Sequence, residues 1–484
     1  MKIVLINPPV WNDIGEIMAS TPPLGLLFLA GYLEKNNYSN IKVIDADALK
    51  MTWRNLEDWL KKEQPDIVGV TGPSFVLPAL FKVVELTKKI LPRAKIVTGG
   101  YGSTVEPEKV LKYKNNIIDF IVMGEGEITF LELIKAIKAD QKDFSKINGL
   151  AYLENNKVVF TQKRDFIMDL DSIPWPAYHF LTPGLLEYKG MHADYKEMPK
   201  PHGILFASRG CPHRCAFCSL GRKVYRARSP KDIVDEMEFY KNNFGIKSIQ
   251  VYDDELIGMS SQQNQWITRI CDEIISRGLN REMTFMGQGR CSEYVNLETL
   301  KKMKQAGFVW MWWGVESGSQ KILDFITKDI KVENVYRTFD LAKKASLKSM
   351  MFIMVGFPKE TKVDIKLTAK IIKEVKPDEV RIHILSPYPG SKLRDYFEKH
   401  NLLETEDYYK FDSRRNVIHH TDEMTAEEIK KNFRLLVFRF ENGYWYFVKF
   451  IAKSLLSFDG WKKIFKRIKM TSEYFNNWFK VNRS

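Results

Sequence analysis

Arg209-Gly210-Cys211-Pro212-His213-Arg214-Cys215-Ala216-Phe217-Cys218 follows directly on the β-rich run Gly203-Ile204-Leu205-Phe206-Ala207-Ser208, and this junction sets the reading of the whole chain. The cysteines fall in the spacing CxxxCxxC. Three thiolates on one short loop can hold three irons of a 4Fe-4S cube; the cube has a fourth, which is left open to a ligand. Two alternatives compete with this. Cys211, His213, Cys215 and Cys218 offer a Cys3His set for a zinc-bearing binding module, yet residues two apart on so tight a loop rarely present four ligands tetrahedrally. Inert core thiols are disfavoured by Gly210, Pro212 and the charged neighbours, which suit an exposed loop. Cluster binding through Cys211, Cys215 and Cys218 is the preferred reading.

Working outward, β-rich runs at 203–208, 247–253, 283–288, 308–315, 349–355 and 379–385 alternate with helical patterns. Six such units predict a partial (β/α)6 barrel of the TIM type, open on one side, with its working face at the strand carboxyl ends. Upstream, strands at 2–6, 41–46, 66–71, 94–99 and 119–124 alternate with helices at 24–36, 52–63, 77–91, near 106 and from 127. That alternation predicts an α/β, doubly wound, flavodoxin-like parallel sheet that binds ligands beyond its strand ends. Those ends, Asn7-Pro8-Pro9, Thr71-Gly72-Pro73-Ser74, Gly99-Gly100-Tyr101-Gly102 and Gly124-Glu125-Gly126-Glu127, are small or turn-forming and let a large flat ligand approach the backbone. A nicotinamide site is disfavoured, because its glycine fingerprint belongs after the first strand. The expected division is 1–140 for the first domain, 141–200 for a proline-rich connector with a hairpin near Asn155-Asn156, 201–395 for the barrel and 396–484 for a helical C-terminal region.

Composition bounds the remaining classes. With 44% hydrophobic and 28% charged residues the 484-residue chain reads as folded nearly throughout. Five cysteines, three of them within eight residues, do not make a secreted disulfide framework, so a reducing, cytoplasmic compartment is expected. The first apolar run is shorter than a signal-peptide core and reads as a strand. A net charge of +14 would suit an anionic partner, but no interleaved aromatic and basic pattern of a nucleic-acid binder accompanies it.

The cysteine loop after the first barrel strand resembles the signature of the radical S-adenosylmethionine (SAM) superfamily, and the later strand ends continue the likeness over 203–395. The resemblance implies a 4Fe-4S cluster whose open iron chelates SAM and whose electron splits it to a 5'-deoxyadenosyl radical. It places Phe217 near adenine, Asp253 among polar groups facing the nucleoside, and Glu316 and Ser317 near the ribose or methionyl part. Gly356, Pro387 and Tyr388 match stretches that pack along adenine, and Arg290 is suited to meet the carboxylate. Cys271 and Cys291 stand apart and read as core thiols.

A glycine-rich parallel sheet ahead of this barrel is similar to the cobalamin-dependent branch of that superfamily, which includes methylases and the anaerobic ring-closing enzyme of chlorophyll synthesis. The resemblance implies corrin contacts from Pro9, Thr71, Ser74, Phe75, Val76, Gly99, Gly100, Tyr101, Gly124, Glu125, Gly126 and Glu127. The first of the eight histidines is His179, so no imidazole in the domain is available as a lower cobalt ligand, and Ser74 to Leu77 would face the metal. The implied activity is C-methylation, with the methyl group passing from methylcobalamin to an unactivated carbon. A cyclase or rearrangement acting on a tetrapyrrole- or lipid-like substrate is the alternative. Implied partners are a small-molecule, lipid or peptide substrate and an electron donor such as ferredoxin or flavodoxin. The aromatic, basic stretch 440–484 leaves two readings open, a helical cap on the barrel or reversible docking at a membrane surface.

Overall fold

The computed structural model describes residues 1–10, 21–188, 195–219 and 224–441. β1 (Ile3–Asn7), β2 (Ile41–Asp45), β3 (Ile67–Thr71), β4 (Lys95–Gly99) and β5 (Phe120–Val122) run parallel in the order β5-β4-β3-β1-β2. Helices Leu24–Lys35 and Glu127–Lys138 pack beside one another, and Trp53–Glu63 and Leu77–Ile90 pair likewise. Burial of the strands on both sides explains their near-continuous apolar sequence. The helix expected near 106 is two short ones, Gly100–Val105 and Pro107–Leu111, because Pro107 has no N–H to continue a helix but is well placed to begin one.

The segment after 140 adds to this sheet. β6 (Leu150–Glu154) and β7 (Lys157–Phe160) form the anticipated hairpin, turned by Asn155 and Asn156 at φ +48° and +63°, and extend the β5 edge antiparallel. β8 (Leu181–Thr182) lies beside β2, giving eight strands in all.

The second sheet runs β9 (His202–Leu205), β12 (Ser248–Val251), β13 (Thr284–Arg290), β14 (Phe308–Glu316), β15 (Lys348–Val355) and β16 (Glu379–Ile384), all parallel in that order, and β9 and β16 do not pair. It is therefore a partial barrel. Between β9 and β12 the chain makes a two-stranded ribbon, β10 (Ser208–Arg209) against β11 (Arg226–Ala227), that brackets the cysteine loop. Ser229, Ser260, Asn296 and Thr361 cap the following helices with their side-chain oxygens. On β14 and β15, Met311, Trp313, Met351 and Ile353 pack with the helices. Trp310, Trp312 and Met350 face the other way and meet Met286 and Met198, with Tyr195 stacked on Trp310 at 4.5 Å. All three tryptophans are thus core residues.

Tyr408, Phe411 and Ile418 return from the C-terminal side of the barrel into the core of the first sheet, so the two units share packing. Among the described residues no helix is long and apolar enough to cross a membrane. The aromatic and basic stretch 440–484 lies, from 442 onward, outside the described residues.

Candidate active site

The cysteine loop is tied to the barrel mouth by its own backbone. Ala216 N–H donates to Ile326 O at 2.8 Å, Leu393 N–H donates to Ala216 O at 2.9 Å, and Thr327 Oγ1 donates to Arg214 O at 3.1 Å. Gly210 opens the loop at φ +86°, a left-handed conformation that glycine adopts without strain. Cys211, Cys215 and Cys218 are half-buried, whereas Cys271 and Cys291 are fully buried core thiols whose pKa burial pushes up to about 12.

The surroundings of the three sulfurs are charged. Cys211 Sγ lies 3.7 Å from Glu255 Oε2, and His213 Nε2 lies 2.8 Å from the same oxygen. Burial, then Glu255, pushes the Cys211 thiol up to about 12, so its proton is one that a metal has to displace. Cys215 faces cations instead: Arg290 Nη1 is 3.7 Å from its sulfur. Arg290 is buried and its Nη2 has no hydrogen-bond partner, a donor that an anionic ligand would satisfy. Beside it, Lys328 pairs with Glu316 at 2.7 Å and sits 5.7 Å over the Phe217 ring. Sequence reasoning missed Lys328, because Thr327-Lys328-Asp329 reads as an exposed turn.

The remaining predicted SAM-side residues are placed as follows. Asp253 is buried and accepts from Ala207 N–H at 2.7 Å and from the Ser208 hydroxyl, so it holds the chain just ahead of the cysteines. Ser317 Oγ accepts from Ser319 N–H at 3.2 Å and shapes the turn after β14. Gly356, after β15, stands at φ +93° between two buried side chains: its N–H donates to Glu360 Oε2 at 2.7 Å and its carbonyl accepts from His419 Nε2 at 2.8 Å. His419 and Glu360 carried no signal in the sequence. Pro387 is buried, and Tyr388 donates its hydroxyl to Phe411 O at 3.2 Å.

On the first sheet, Pro9 is buried at the end of β1 and Thr71 Oγ1 donates to Gly99 O at 3.3 Å. A Cβ on Gly100, at φ +75°, would lie 2.3 Å from Thr71 Oγ1, and one on Gly102 would lie 2.9 Å from Gly72 O. Only glycines fit that cradle. Around it the hydroxyls of Ser74, Thr98 and Ser103 are buried with no hydrogen-bond partner, the kind of polar wall that a ligand's oxygens and nitrogens satisfy. Ser74, Phe75 and Val76 form a 3-10 turn whose Phe75 ring lies 6.3 Å from Tyr388 of the barrel. Tyr101 hydrogen-bonds Ser219, next to Cys218. Gly124 is exposed, and Gly126 packs on Leu29. Glu125 and Glu127 bond Arg226 and Arg209 of the ribbon, at 2.6 Å and 2.7 Å. Burial alone would raise the pKa of Glu125, but Arg226 and Arg209 hold it below the ordinary carboxylate value. The carboxyl ends of the two sheets therefore face each other.

Comparison with known proteins matches residues 13–134 to the B12 binding domain and residues 205–372 to the radical SAM superfamily. An uncharacterized methyltransferase of Pyrococcus horikoshii is 32% identical over 438 residues, which is 89% of this chain and 91% of that protein. The chain belongs to the B12-dependent radical SAM family. The anaerobic magnesium-protoporphyrin IX monomethyl ester cyclase of Cereibacter sphaeroides is 30% identical over 423 residues, 85% of this chain and 66% of that protein. Among solved structures, the cobalamin-dependent radical enzyme OxsB with aqua-cobalamin and SAM bound superposes with a TM-score of 0.73 at 18% identity, covering 98% of this chain and 71% of that one. That last likeness is one of fold.

Membership makes this radical SAM enzyme a user of a 4Fe-4S cluster, SAM and cobalamin, and the residues present suit all three. It also sets aside the zinc module. Among the described residues, the metal-ligand atoms that converge within 4.8 Å belong to Cys211, His213 and Glu255, so His213 is turned to a carboxylate and the Cys3His set is not assembled.

Proposed function

We propose that the enzyme is a C-methyltransferase, with 1–140 binding cobalamin, 201–395 binding the cluster and SAM, 141–200 connecting them and a C-terminal region from 396. The observation that supports this reading is the apposition of the two strand-end faces, through Phe75 with Tyr388 and Tyr101 with Ser219, across which a corrin held on the first sheet would adjoin the SAM side of the barrel. Absence of histidine before His179 supports it, since an apolar, weakly coordinating environment favours a reduced cobalt. When bound, the cluster supplies the reducing electron and cobalamin carries the methyl group.

The chain's own residues then have separable tasks. Cys211, Cys215 and Cys218 hold the three protein-ligated irons. Arg290 presents its orphaned Nη2 to the SAM carboxylate, a charge-assisted bond in a dry site. Glu316, fixed by Lys328, and Ser317 border the ribose or methionyl part. Phe217, Gly356, Pro387 and Tyr388 flank adenine, and Asp253 positions the loop from behind. Thr98 and Ser103 receive polar groups of the corrin's nucleotide tail in the Gly99–Gly102 cradle, and Ser74 belongs to the turn that faces the metal. A ferredoxin or flavodoxin is the class of electron donor.

The likeness to the ring-closing cyclase of Cereibacter sphaeroides favours a second reading, cyclisation without methylation. A substrate-independent assay separates the two. Anaerobically reconstituted enzyme, reduced and given SAM, is expected to release S-adenosylhomocysteine in amounts that rise with added hydroxocobalamin, alongside 5'-deoxyadenosine. Release of 5'-deoxyadenosine alone, whatever the cobalamin concentration, would turn the assignment to the cyclase.

A further inference from the structure

The turn after β5 and the ribbon beside the cysteine loop are joined by a polar network. Arg209 and Arg226 stand directly opposite each other in the ribbon, one at each end of the segment that carries the cysteines. Arg226, with its side chain only 3% exposed, donates to both oxygens of Glu125, at 2.9 Å and 2.6 Å, and to Ile167 O at 2.8 Å. Ile167 N–H closes the ring on Glu125 Oε2 at 3.1 Å. Arg209 donates to Glu127 Oε1 at 2.7 Å and passes 3.9 Å from Glu125. Each guanidinium also lies on an aromatic ring from the first sheet's side, Arg209 over Phe28 at 5.0 Å and Arg226 over Phe166 at 4.7 Å.

We infer that Glu125 and Glu127 form an inter-domain latch that positions both ends of the cysteine loop against the first sheet, and that Glu125, both of whose oxygens are engaged, is not a corrin ligand. Both oxygens of Glu125 are already bonded to Arg226, so a corrin amide would have to displace a bidentate pair. A ribbon of two residues per strand cannot hold itself, so the register of the loop has to come from outside it. Buried ion pairs add little net stability, because desolvation offsets their attraction. What a bidentate arginine–carboxylate pair provides is a fixed geometry. Here it fixes the cluster loop relative to the face that binds cobalamin, so the inference rests on the reading of the first sheet as the corrin site.

The test uses the full-length, cluster-reconstituted enzyme with Glu125→Gln and Glu127→Gln combined. Hydrogen exchange of backbone amides at 205–210 and 224–228 should quicken by about tenfold or more, since the opening of that segment is no longer opposed. In Glu125→Gln alone the dissociation constant for hydroxocobalamin, read by absorbance titration, should move by less than about threefold, and iron content should not change. Unchanged exchange would overturn the latch, and so would a loss of cobalamin affinity in Glu125→Gln with the ribbon still protected, which would make that carboxylate a corrin contact. Should the double variant not fold, Glu127→Arg with Arg209→Glu serves instead: exchange slower than in either single variant supports the pair, and no such rescue refutes it. Failure of the wild-type enzyme to bind cobalamin would remove the corrin reading and leave the exchange result standing.

Discussion

Lys328 Nζ lies 2.7 Å from Glu316 Oε1, with the two side chains 8% and 9% exposed, on the wall shared by Phe217 and Cys215. Removing one partner of such a pair strands the other charge in a dry site. Lys328→Met should therefore cost about 3–5 kcal/mol, and adding Glu316→Gln should return most of it. Denaturant unfolding of both single variants and the double variant measures this coupling. Strictly additive losses would show that the two residues do not act as a pair.

Gly356 is held at φ +93° with both backbone polar groups engaged. In Gly356→Ala the new Cβ would lie 3.0 Å from His419 Nε2 and 3.0 Å from Ile429 Cγ2. The left-handed backbone adds about 1–2 kcal/mol for any residue bearing a Cβ. Thermal unfolding should fall by several degrees, and KM for SAM should rise more than kcat falls, because the displaced backbone borders the proposed adenine site. An unshifted KM would place Gly356 away from the nucleotide.

The strand frame was legible because it is repetitive. Apolar runs mark β1 to β5, those of β1, β3, β4 and β5 running into glycine or proline, and the six barrel strands stand within a few residues of their expected bounds. The cysteine loop was legible because three thiols at fixed spacing have few other uses. What escaped was whatever depends on partners far away in the chain. Glu127 and Glu125 form a visible motif, but their arginines lie 82 and 101 residues on, and no local pattern links them. The ribbon is too short to show a period. His419 reaches Gly356 from 63 residues downstream, and nothing in the His419-His420 pair tells which of the two turns inward.

Asp253 supplies a pH signature. Burial pushes it up to about 7, against the lowering pull of its hydrogen bonds from Ser208 and Ala207, whereas the ordinary value is 3.8. Across that interval the folded chain keeps a proton that the unfolded chain has lost, so this group's contribution makes stability decline as pH rises from 3.8 to about 7. Asp253→Asn cannot ionise, and the Ser208 hydroxyl can rotate to accept from the new amide. The difference in melting temperature between variant and wild type should shift in the variant's favour across this window. A difference independent of pH would mean that Asp253 is already ionised at its lower end.

His419 gives the opposite slope. It is fully buried, and burial holds it down to about 4, although its bond to the Gly356 carbonyl pulls the other way. Between that value and the ordinary 6.5 the unfolded chain takes up a proton that the folded chain refuses, so stability is lost as pH falls through the window. His419→Gln retains a donor for the Gly356 carbonyl without a titrating ring, and its melting temperature should be less sensitive to acid than that of the wild type over pH 6.5 to about 4. Equal sensitivity would show that the ring is open to solvent, and that the C-terminal segment does not close over Gly356.

Iron removal should leave the fold standing. The cysteine loop is fixed through Ala216, Arg214 and Leu393 by bonds that involve no sulfur, and a large apolar core underlies it. A structural zinc module behaves differently, since its metal-binding energy is its folding energy. Chelation under anaerobic conditions should abolish 5'-deoxyadenosine formation while the far-ultraviolet circular dichroism stays unchanged and the melting temperature falls by only a few degrees. Collapse of secondary structure on chelation would mean that the thiolates, and not the surrounding backbone contacts, hold the mouth of the barrel together.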